Sequence, residues 1–299
     1  MAENELRVED TPELKRPVLV AAFRGWNDGA QAASLAAGYL ARLWDADRFA
    51  DIDPEGFFDF QATRPHVSLV DGITRQIDWP ETAFYHARPR RLDRDVVLLL
   101  GIEPNVRWRT FTELIVGHAQ ELGVELMVTL GALLADVPHT RPSPVTGSAS
   151  SADLVEELGL STSRYEGPTG IVGVLHDACH NSGIPSASLW AAVPHYVSLT
   201  PSPRAAAALC ARLGGLLGIE IDTGELDQAA ATYEEQVSQA VAADEETAAY
   251  VEELERRVDT IGEELELPSG DALAAELTRY LRERESGNGE SSEPGPREQ

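Results

Sequence analysis

The stretch Val18-Leu-Val-Ala-Ala-Phe-Arg-Gly-Trp-Asn-Asp28, followed by an alanine-rich segment from Ala30 to Trp44, decides the fold of this sequence. Val18 to Phe23 is a continuous apolar run of strand length, which is typical of a strand buried on both faces. Arg24 to Asp28 has the composition of a turn, and the segment after it favours a helix. Strand, tight turn and helix in this order predict the first unit of an α/β fold.

Further apolar runs alternate with helical segments along the chain. They predict core strands at 96–100, 125–130 and 186–193, and helices at about 110–122, 171–180 and 204–217. Shorter alternating segments at 57–60, 67–70 and 75–79 predict strands, the last two joined by a hairpin turn at Asp71-Gly72. The sequence therefore predicts a mostly parallel or mixed sheet, covered by helices on both faces, with an antiparallel hairpin attached.

The composition excludes several classes of protein. The 299 residues include 50 acidic and 24 basic side chains, a formal net charge of −26, and Lys15 is the only lysine. This charge excludes a general nucleic-acid binder and disfavours an anionic membrane surface. No apolar run is long enough to span a bilayer, and the acidic N-terminus is unlike a secretory signal peptide. Because two cysteines are too few for a disulfide framework, we expect a cytoplasmic protein.

Charge and secondary-structure pattern both change near residue 222. Residues 224–299 carry 21 acidic and 6 basic side chains and show no strand pattern. Apolar residues recur there in steps of four and three from Leu226 to Leu265, interrupted at Asp244 and Thr247, which predicts helices. We therefore predict a flexible N-terminus (1–16), an α/β core domain (17–222), a helical extension (225–285) ending in a short helix at 271–284, and a disordered acidic tail (286–299).

The polar interruption leaves two arrangements of the extension open: a helical hairpin, or one long helix with a weak middle. We favour packing on its own domain over an intermolecular coiled coil. Its outer surface is densely negative, with acidic residues at Glu252, Glu253, Glu263 and Glu264. Since like charges on a helix repel one another, we expect this surface to mediate assembly or contact with a basic partner. A solvated acidic face is the alternative.

Motifs for common chemistries are incomplete. The sequence lacks Gly-Lys-Ser/Thr, and Asp28, the expected cap of the first helix, occupies the place that a phosphate would need. His176 and His180 have the spacing of a metalloprotease helix, but Asp177 stands where a glutamate is needed and no third ligand is evident. Gly147-Ser-Ala-Ser-Ser151 is not a nucleophile elbow. We therefore expect no metal and no cofactor.

Polar side chains follow the predicted core strands, at the ends where ligands bind in open α/β sheets. If these strands are parallel neighbours, the side chains converge on one edge of the sheet. Two arginines on one short loop, Arg107 and Arg109, could clamp a carboxylate or a phosphate. Polar residues also occupy loops for purely structural reasons. The ligand-pocket candidates are Arg24, Asn27, Asp28, Glu103, Asn105, Arg107, Arg109, His139, Arg141, Thr169 and His195.

Five segments form a recognisable set: Leu19–Asp28, Gly101–Trp108, Val137–Pro142, Tyr165–Gly173 and Trp190–Tyr196. Together they resemble the actinobacterial branch of the proteasome assembly chaperone 2 family, over roughly residues 17–240. The resemblance implies a phosphorylase/hydrolase-like α/β fold, a homo-oligomer, and an ATP-independent protein-binding or chaperone role. Some relatives carry a ligase-like label, but ATP-dependent ligases hold phosphates with lysines, and this sequence has one lysine.

Two functions follow from these observations. We favour a non-enzymatic, protein-binding or chaperone-like protein of the proteasome-assembly type, with proteasome subunits among its expected partners. The alternative is a small-molecule-binding enzyme or sensor with a pocket at the carboxyl ends of the strands, because one fold hosts many functions. Chaperones that dock into proteasome pockets typically end in a hydrophobic residue, a tyrosine and any residue, whereas this sequence ends Gly295-Pro-Arg-Glu-Gln299. Docking by that route is not expected.

Overall fold

A computed structural model describes residues 5–163, 165–197 and 201–261. In chain order its elements are β1 (Leu6–Val8), β2 (Val18–Arg24), α1 (Ala32–Leu43), β3 (Asp47–Ile52), β4 (His66–Val70), β5 (Thr74–Asp78), β6 (Ala83–Ala87), β7 (Val96–Ile102), α2 (Trp108–Glu121), β8 (Leu126–Ala135), β9 (Val145–Ala149), α3 (Ala152–Leu158), α4 (Ile171–Ser182), β10 (Ser186–Pro194), α5 (Pro203–Leu217), α6 (Gly224–Ala242) and α7 (Glu245–Ile261). The helix predicted at 271–284 and the tail predicted at 286–299 lie outside the described residues.

Eight of the strands form one mixed sheet in the order β1-β3-β6-β7-β2-β8-β10-β9. Its centre is parallel, because β2 pairs with both β7 and β8, and β8 pairs with β10. Its edges are antiparallel, with β1, β3 and β6 on one side and β9 on the other. The predicted fold class, a mixed sheet flanked by helices, is confirmed.

Strand β2 shows how the sheet is covered on both faces. Val18 and Val20 belong to an apolar cluster formed with α1 and α5. Leu19 and Phe23 belong to a second cluster, formed with α2 and α4. All four side chains are at most 1% exposed. Alternate residues of a strand point to opposite faces, so a strand covered twice needs a continuous apolar run.

The predicted strand at 57–60 is wrong. Pro54–Gly56 form a 3-10 turn, and the chain continues from it as irregular backbone. The Phe57 carbonyl accepts the Asn105 N–H at 2.9 Å, so a loop satisfies this backbone in place of a neighbouring strand. The Phe57 ring packs edge-on against Phe111 at 5.2 Å between centroids. These aromatic residues therefore fill the core from a turn, which alternation alone does not distinguish from a strand.

The structure adds four strands that the sequence pattern does not predict: β1, β3, β6 and β9. Residues 1–16 were expected to be flexible, but β1 pairs antiparallel with β3, with Leu6 opposite Ile52. Asp51 in β3 is 8% exposed, and Arg7 lies across from it with Nε 3.3 Å from its carboxylate. Charged side chains that pair across strands hide the apolar alternation by which a strand is recognised. The short helix α3 was also not predicted.

Between residues 224 and 261, the C-terminal region forms two helices rather than one. The break falls at Asp244, whose carboxylate caps α7 by accepting the Thr247 N–H at 2.8 Å. Leu226 belongs to the core cluster that contains α5. Tyr233 in α6 and Leu254 in α7 are also buried. The break occurs at the polar interruption of the heptad pattern, and it resolves the two arrangements left open in favour of two helices.

Candidate functional site

The loops after β2 and β7 meet the start of α4 at the Glu103 carboxylate. Its Oε1 accepts the Ile171 N–H at 2.8 Å and the Asn27 side-chain amide at 3.2 Å, and its Oε2 accepts the Trp26 N–H at 3.2 Å. The N-cap residue of α4, Gly170, has no side chain with which to cap the helix. Glu103 therefore caps α4 from another loop, and its charge suits the positive end of the helix dipole.

Two glycines make room for this carboxylate. Gly25 has a φ of +140°, and a Cβ there would lie 2.8 Å from the Cβ of Glu103. A Cβ on Gly170 would lie 2.5 Å from Asn27 Nδ2 and 2.8 Å from Glu103 Oε1. All three distances are shorter than van der Waals contact allows, so the close approach requires glycine at these positions.

Asp28 serves the fold at the start of the first helix. Its Oδ1 accepts the N–H groups of Ala33 at 2.9 Å and Ser34 at 3.1 Å, and the Ser34 hydroxyl donates to Oδ2. The side chain is 6% exposed, and this burial raises the pKa of Asp28. The N-cap residue of α1 is Gln31 and not Asp28 as expected, but the Asp28 carboxylate does accept the first helix amides, as the capping interpretation predicts.

His139 and Arg141 face the C-terminal helices. The His139 ring lies 2.8 Å from the Tyr196 hydroxyl through Nδ1 and 2.9 Å from the Ser238 hydroxyl through Nε2. Burial lowers the pKa of His139. Arg141 donates two hydrogen bonds of 2.8 Å to the Asp259 carboxylate. Both side chains therefore tie α6 and α7 to the loop after β8, away from the Glu103 cluster.

Arg107 and Arg109, the predicted arginine clamp, have different surroundings in the structure. Arg107 has a left-handed φ of 58°, and its guanidinium pairs with the Glu5 carboxylate at 2.6 Å. Arg109 is exposed on the first turn of α2. Asn105 accepts the Asp59 N–H at 2.9 Å through its side-chain oxygen. One arginine is thus engaged by a carboxylate of the chain itself, and Asn105 holds a neighbouring loop in place.

The eleven sequence candidates do not form one pocket. Asn27 and Thr169 line a common cavity, and Glu103 lies beside it through its contact with Asn27. Arg24 lies at a different depression, beside α1. His195 lies in the 3-10 turn after β10, with Nδ1 3.3 Å from Asp136. A ligand-binding role for this set stays a prediction.

The cavity has a volume of about 350 Å³ and lies between α4 and the face of β8, β9 and β10. Its wall is rich in hydroxyl groups, which alternate along two adjacent strands. They include Thr146 and Ser148 on β9, and Ser186 and Ser188 on β10, while Trp26 and Trp190 contribute aromatic surface. Motif-based reasoning missed this site, although Thr-x-Ser and Ser-x-Ser alternation is visible in the sequence.

His176 on α4 lines the same cavity and makes a hydrogen bond to a residue of β8. Its Nε2 lies 2.9 Å from the Thr129 hydroxyl, and burial lowers its pKa to about 4. In residues 5–163, 165–197 and 201–261, no group of three or more His, Cys, Asp or Glu side chains is arranged to hold a metal ion. None of the helices in that part of the chain combines the length and apolar character needed to cross a bilayer.

Strands β4 and β5 form a two-stranded ribbon outside the main sheet. The predicted turn is confirmed, with Asp71 and Gly72 at left-handed φ values of 53° and 71°. Such φ values match the right-handed twist of the flanking strands, and aspartate and glycine tolerate them best. At the base of the ribbon, the Phe60 and Trp79 rings lie 4.8 Å apart between centroids.

One face of this ribbon is apolar and open. Val67 pairs with Ile77, and Leu69 lies on the same face two residues along the strand. Val67 and Leu69 are each 62% exposed, and Ile77 is 55% exposed. The opposite face carries Ser68 across from Gln76. We name the exposed side chains of Val67, Leu69 and Ile77 the apolar ribbon face.

Comparison with known proteins identifies relatives over most of the chain. The model of the PAC2 family matches residues 22–241. A PAC2 family protein from Streptomyces avermitilis is 50% identical, with a TM-score of 0.73 over 79% of this chain and 99% of that chain. A proteasome-assembly chaperone homologue from Mycobacterium tuberculosis is 48% identical, with a TM-score of 0.71 over 78% of this chain and 99% of that chain.

A more distant structure shares the fold alone. The archaeal proteasome activator PbaB from Pyrococcus furiosus is 19% identical, with a TM-score of 0.65 over 79% of this chain and 97% of that chain. None of the curated proteins compared with the chain matches it. The resemblance that the sequence segments indicate is confirmed by the family match and by the two actinobacterial relatives.

Proposed function

The chain belongs to the PAC2 family, and we propose that it is a non-enzymatic, protein-binding protein of the proteasome-assembly-chaperone type, with proteasome subunits as its partners. The actinobacterial relative described as a proteasome-assembly chaperone homologue supports the choice of partner. We further propose that the chain works in the cytoplasm as a homo-oligomer. The observation that carries the proposal is the apolar ribbon face.

A two-stranded ribbon on its own is only marginally stable in water. Here it also exposes Val67, Leu69 and Ile77 side by side, with more than half of each side chain in contact with solvent. Ile73 at the tip of the ribbon is 87% exposed. A cluster of exposed aliphatic residues rimmed by polar ones is typical of a protein-interaction site. The ribbon therefore has the form of a docking element that is stabilised when a partner covers it.

The chemistry of this face selects the kind of partner. On the apolar face, the only charged side chain within the paired residues is Arg75, across from Leu69. Nucleic acid needs several cations in a row, and an enzyme substrate needs a concave site, which an open ribbon lacks. An apolar strip on the surface of a protein matches this face. A proteasome subunit whose neighbours have not yet assembled would expose such a strip.

The acidic extension is proposed as a second contact region. It packs on its own domain through α6, where Leu226 and Tyr233 are buried. Glu252 on α7 is exposed and belongs to its negative outer surface. We propose a division into a core at 17–222 and an appendage from 225 onward, whose acidic face meets basic side chains of a partner or of a second copy.

The test introduces two charges on the apolar ribbon face, as Leu69→Asp together with Ile77→Asp. The matched control, Ser68→Asp together with Gln76→Asp, adds the same charges to the opposite face of the same ribbon. Removing two exposed aliphatic side chains that the partner would cover costs about 2 kcal/mol of binding free energy, which corresponds to roughly a 30-fold loss of affinity. Binding is measured by interferometry with purified proteasome subunits from an actinobacterium, and the fold by circular dichroism.

We expect the wild-type chain and the control to bind equally and the L69D/I77D variant to lose binding while remaining folded. Light scattering on the same samples measures the oligomeric state, and so shows whether the ribbon binds a partner or a second copy of the chain. If L69D/I77D splits an oligomer but binds proteasome subunits as tightly as the wild type, the ribbon is a self-association surface. That result, or a wild-type chain that binds no proteasome subunit, overturns the proposal.

A further inference from the structure

The two faces of the β9–β10 edge differ in chemistry. Odd-numbered residues of β10, such as Leu189 and Ala191, belong to the apolar cluster that contains α5. Even-numbered residues, Ser186 and Ser188, line the cavity beneath α4. A sheet face covered by a helix is normally apolar. Solvent does not explain the hydroxyl groups, because Ser186 is 0% exposed and Ser188 is 5% exposed.

The strand register continues this polar face onto β9. Ser188 lies opposite Ser148, and their hydroxyl oxygens are 2.9 Å apart. Trp190 lies opposite Thr146, and both side chains line the cavity. The hydroxyl groups are therefore arranged in two adjacent rows, with an aromatic side chain at the end of one row. This arrangement is a built polar wall and not a scattering of surface serines.

Two hydroxyl groups of this wall have no hydrogen-bond partner among the described residues. They are Ser186 Oγ and Thr146 Oγ1, and both atoms are buried. A buried hydroxyl that lacks a partner is costly, and native proteins pair almost all such groups. Because both residues line the cavity, a molecule inside it could supply the missing partners once either hydroxyl group turns toward it.

The wall also selects against ions. None of the described residues that line the cavity is Asp, Glu, Lys or Arg. His176 is uncharged at neutral pH, since burial lowers its pKa to about 4. Glu103 lies nearby, but three N–H groups occupy its carboxylate. Among the described lining residues, a charged ligand would therefore find no opposite charge to offset its lost hydration.

We propose that this cavity binds a small uncharged ring compound with several hydroxyl or amide groups, which hydrogen-bonds to Ser186 and Thr146 and contacts Trp190 and Trp26 through its ring. A volume of about 350 Å³ lies at the small end of the range for ligand sites, which suits a compound of one to three rings. Trp26 is 43% exposed and places an aromatic side chain where the cavity opens. This inference is independent of the proposed protein-binding function, because it uses no residue of the ribbon.

The first experiment measures binding to the full chain by calorimetry, with adenosine, uridine and glucose as uncharged probes. Adenosine 5′-monophosphate and uridine 5′-monophosphate are the charged counterparts of the first two. We expect at least one uncharged probe to bind with a Kd below about 1 mM, and its charged counterpart, where one is included, to bind at least about 10-fold more weakly. No binding by any uncharged probe, or equal binding by a charged counterpart, overturns the proposal.

The second experiment removes the unpartnered hydroxyl groups with little change of shape, as Thr146→Val and Ser186→Ala. The control is Thr232→Val, at an exposed position on α6. We expect each cavity variant to keep or raise the melting temperature of the free chain, because it removes an unpaired buried group, and to raise the Kd of the bound probe about 10-fold. Lower melting temperatures with an unchanged Kd would show that the hydroxyl groups serve the fold, and would overturn the proposal. Crystals soaked in the probe that show only ordered water in the cavity would do the same.

Discussion

Replacing Glu103 by alanine tests whether this carboxylate joins three segments of the chain. It accepts N–H groups from Ile171 at 2.8 Å and from Asn27 and Trp26 at 3.2 Å. A hydrogen bond to a charged group contributes about 1.5–3 kcal/mol, and a helix cap about 1 kcal/mol. The three bonds share one carboxylate, so their energies do not add. We therefore expect the Glu103→Ala variant to lose about 3 kcal/mol of unfolding free energy.

Urea denaturation followed by circular dichroism and tryptophan fluorescence measures this loss. For a chain of this size, about 3 kcal/mol corresponds to a fall in Tm of roughly 6–12 °C. The Glu103→Gln variant keeps one acceptor oxygen but turns an amide NH2 toward a backbone donor. Its loss of unfolding free energy should therefore lie between zero and that of Glu103→Ala. The matched control is Glu113→Ala, at an exposed position on α2, where we expect a change within about 0.5 kcal/mol. If the Glu103 and Glu113 variants unfold at the same urea concentration, the cap assigned to Glu103 is wrong.

Two further predictions concern His176 and Leu254. The pKa of His176 is about 4 in the folded chain, below the usual value of 6.5. Between pH 6.5 and pH 4 the unfolded chain therefore binds more protons than the folded chain. We expect the unfolding free energy to fall as the pH falls from 6.5 toward 4, by up to about 3 kcal/mol. The His176→Gln variant keeps an acceptor for Thr129 and should lose less stability in acid, as measured by urea titrations at several pH values. If its stability depends on pH as that of the wild type does, His176 is not the group responsible. Leu254→Ala, at a side chain 1% exposed, should cost about 2–4 kcal/mol if α7 belongs to the folded unit. Glu252→Ala on the exposed face is its control, and equal stability of the two variants would show that α7 packs loosely.

The central strands of the sheet could be predicted because their residues form continuous apolar runs, which are typical of strands covered on both faces. The run from Val18 to Phe23 requires a strand covered on both faces, and the structure covers it with helices on both faces. The edges could not be predicted in this way. Strand β3 contains Asp51, whose charge is paired by Arg7 across the strands, and such pairing depends on a partner distant in sequence. Strand β9 contains Gly147, which weakens any strand pattern.

The site could be predicted only in part, for a related reason. Placing polar residues after strands identified Asn27 and Glu103, and the turn before a predicted helix identified Thr169. The structure brings all three close to one cavity. Placing polar residues after strands also selected His139 and Arg107, whose hydrogen-bonding partners come from α6 and from the N-terminus. Strand order and loop direction decide which partners a polar side chain meets, and neither is encoded locally. The hydroxyl wall was overlooked because serine and threonine at alternate positions are also typical of an ordinary solvent-facing strand.

The buried ionisable side chains of the described residues bear on the two functions that the sequence left open, protein binding and an enzyme. Burial raises the pKa of the Cys179 and Cys210 thiols to about 12, so both stay protonated at neutral pH and are poor nucleophiles. His176, with a pKa of about 4, is too weak a base to accept a proton efficiently near neutral pH. Asp28 is occupied by the amides of α1. Enzymes commonly shift such groups toward the pH at which they work, whereas burial shifts the pKa values of Cys179, Cys210 and His176 away from neutral pH. The groups that remain available are aliphatic, aromatic or uncharged hydrogen-bonding side chains, at the apolar ribbon face and in the cavity alike. Such groups can contact a protein partner or a neutral ligand, which agrees with the protein-binding role and the ligand site proposed above.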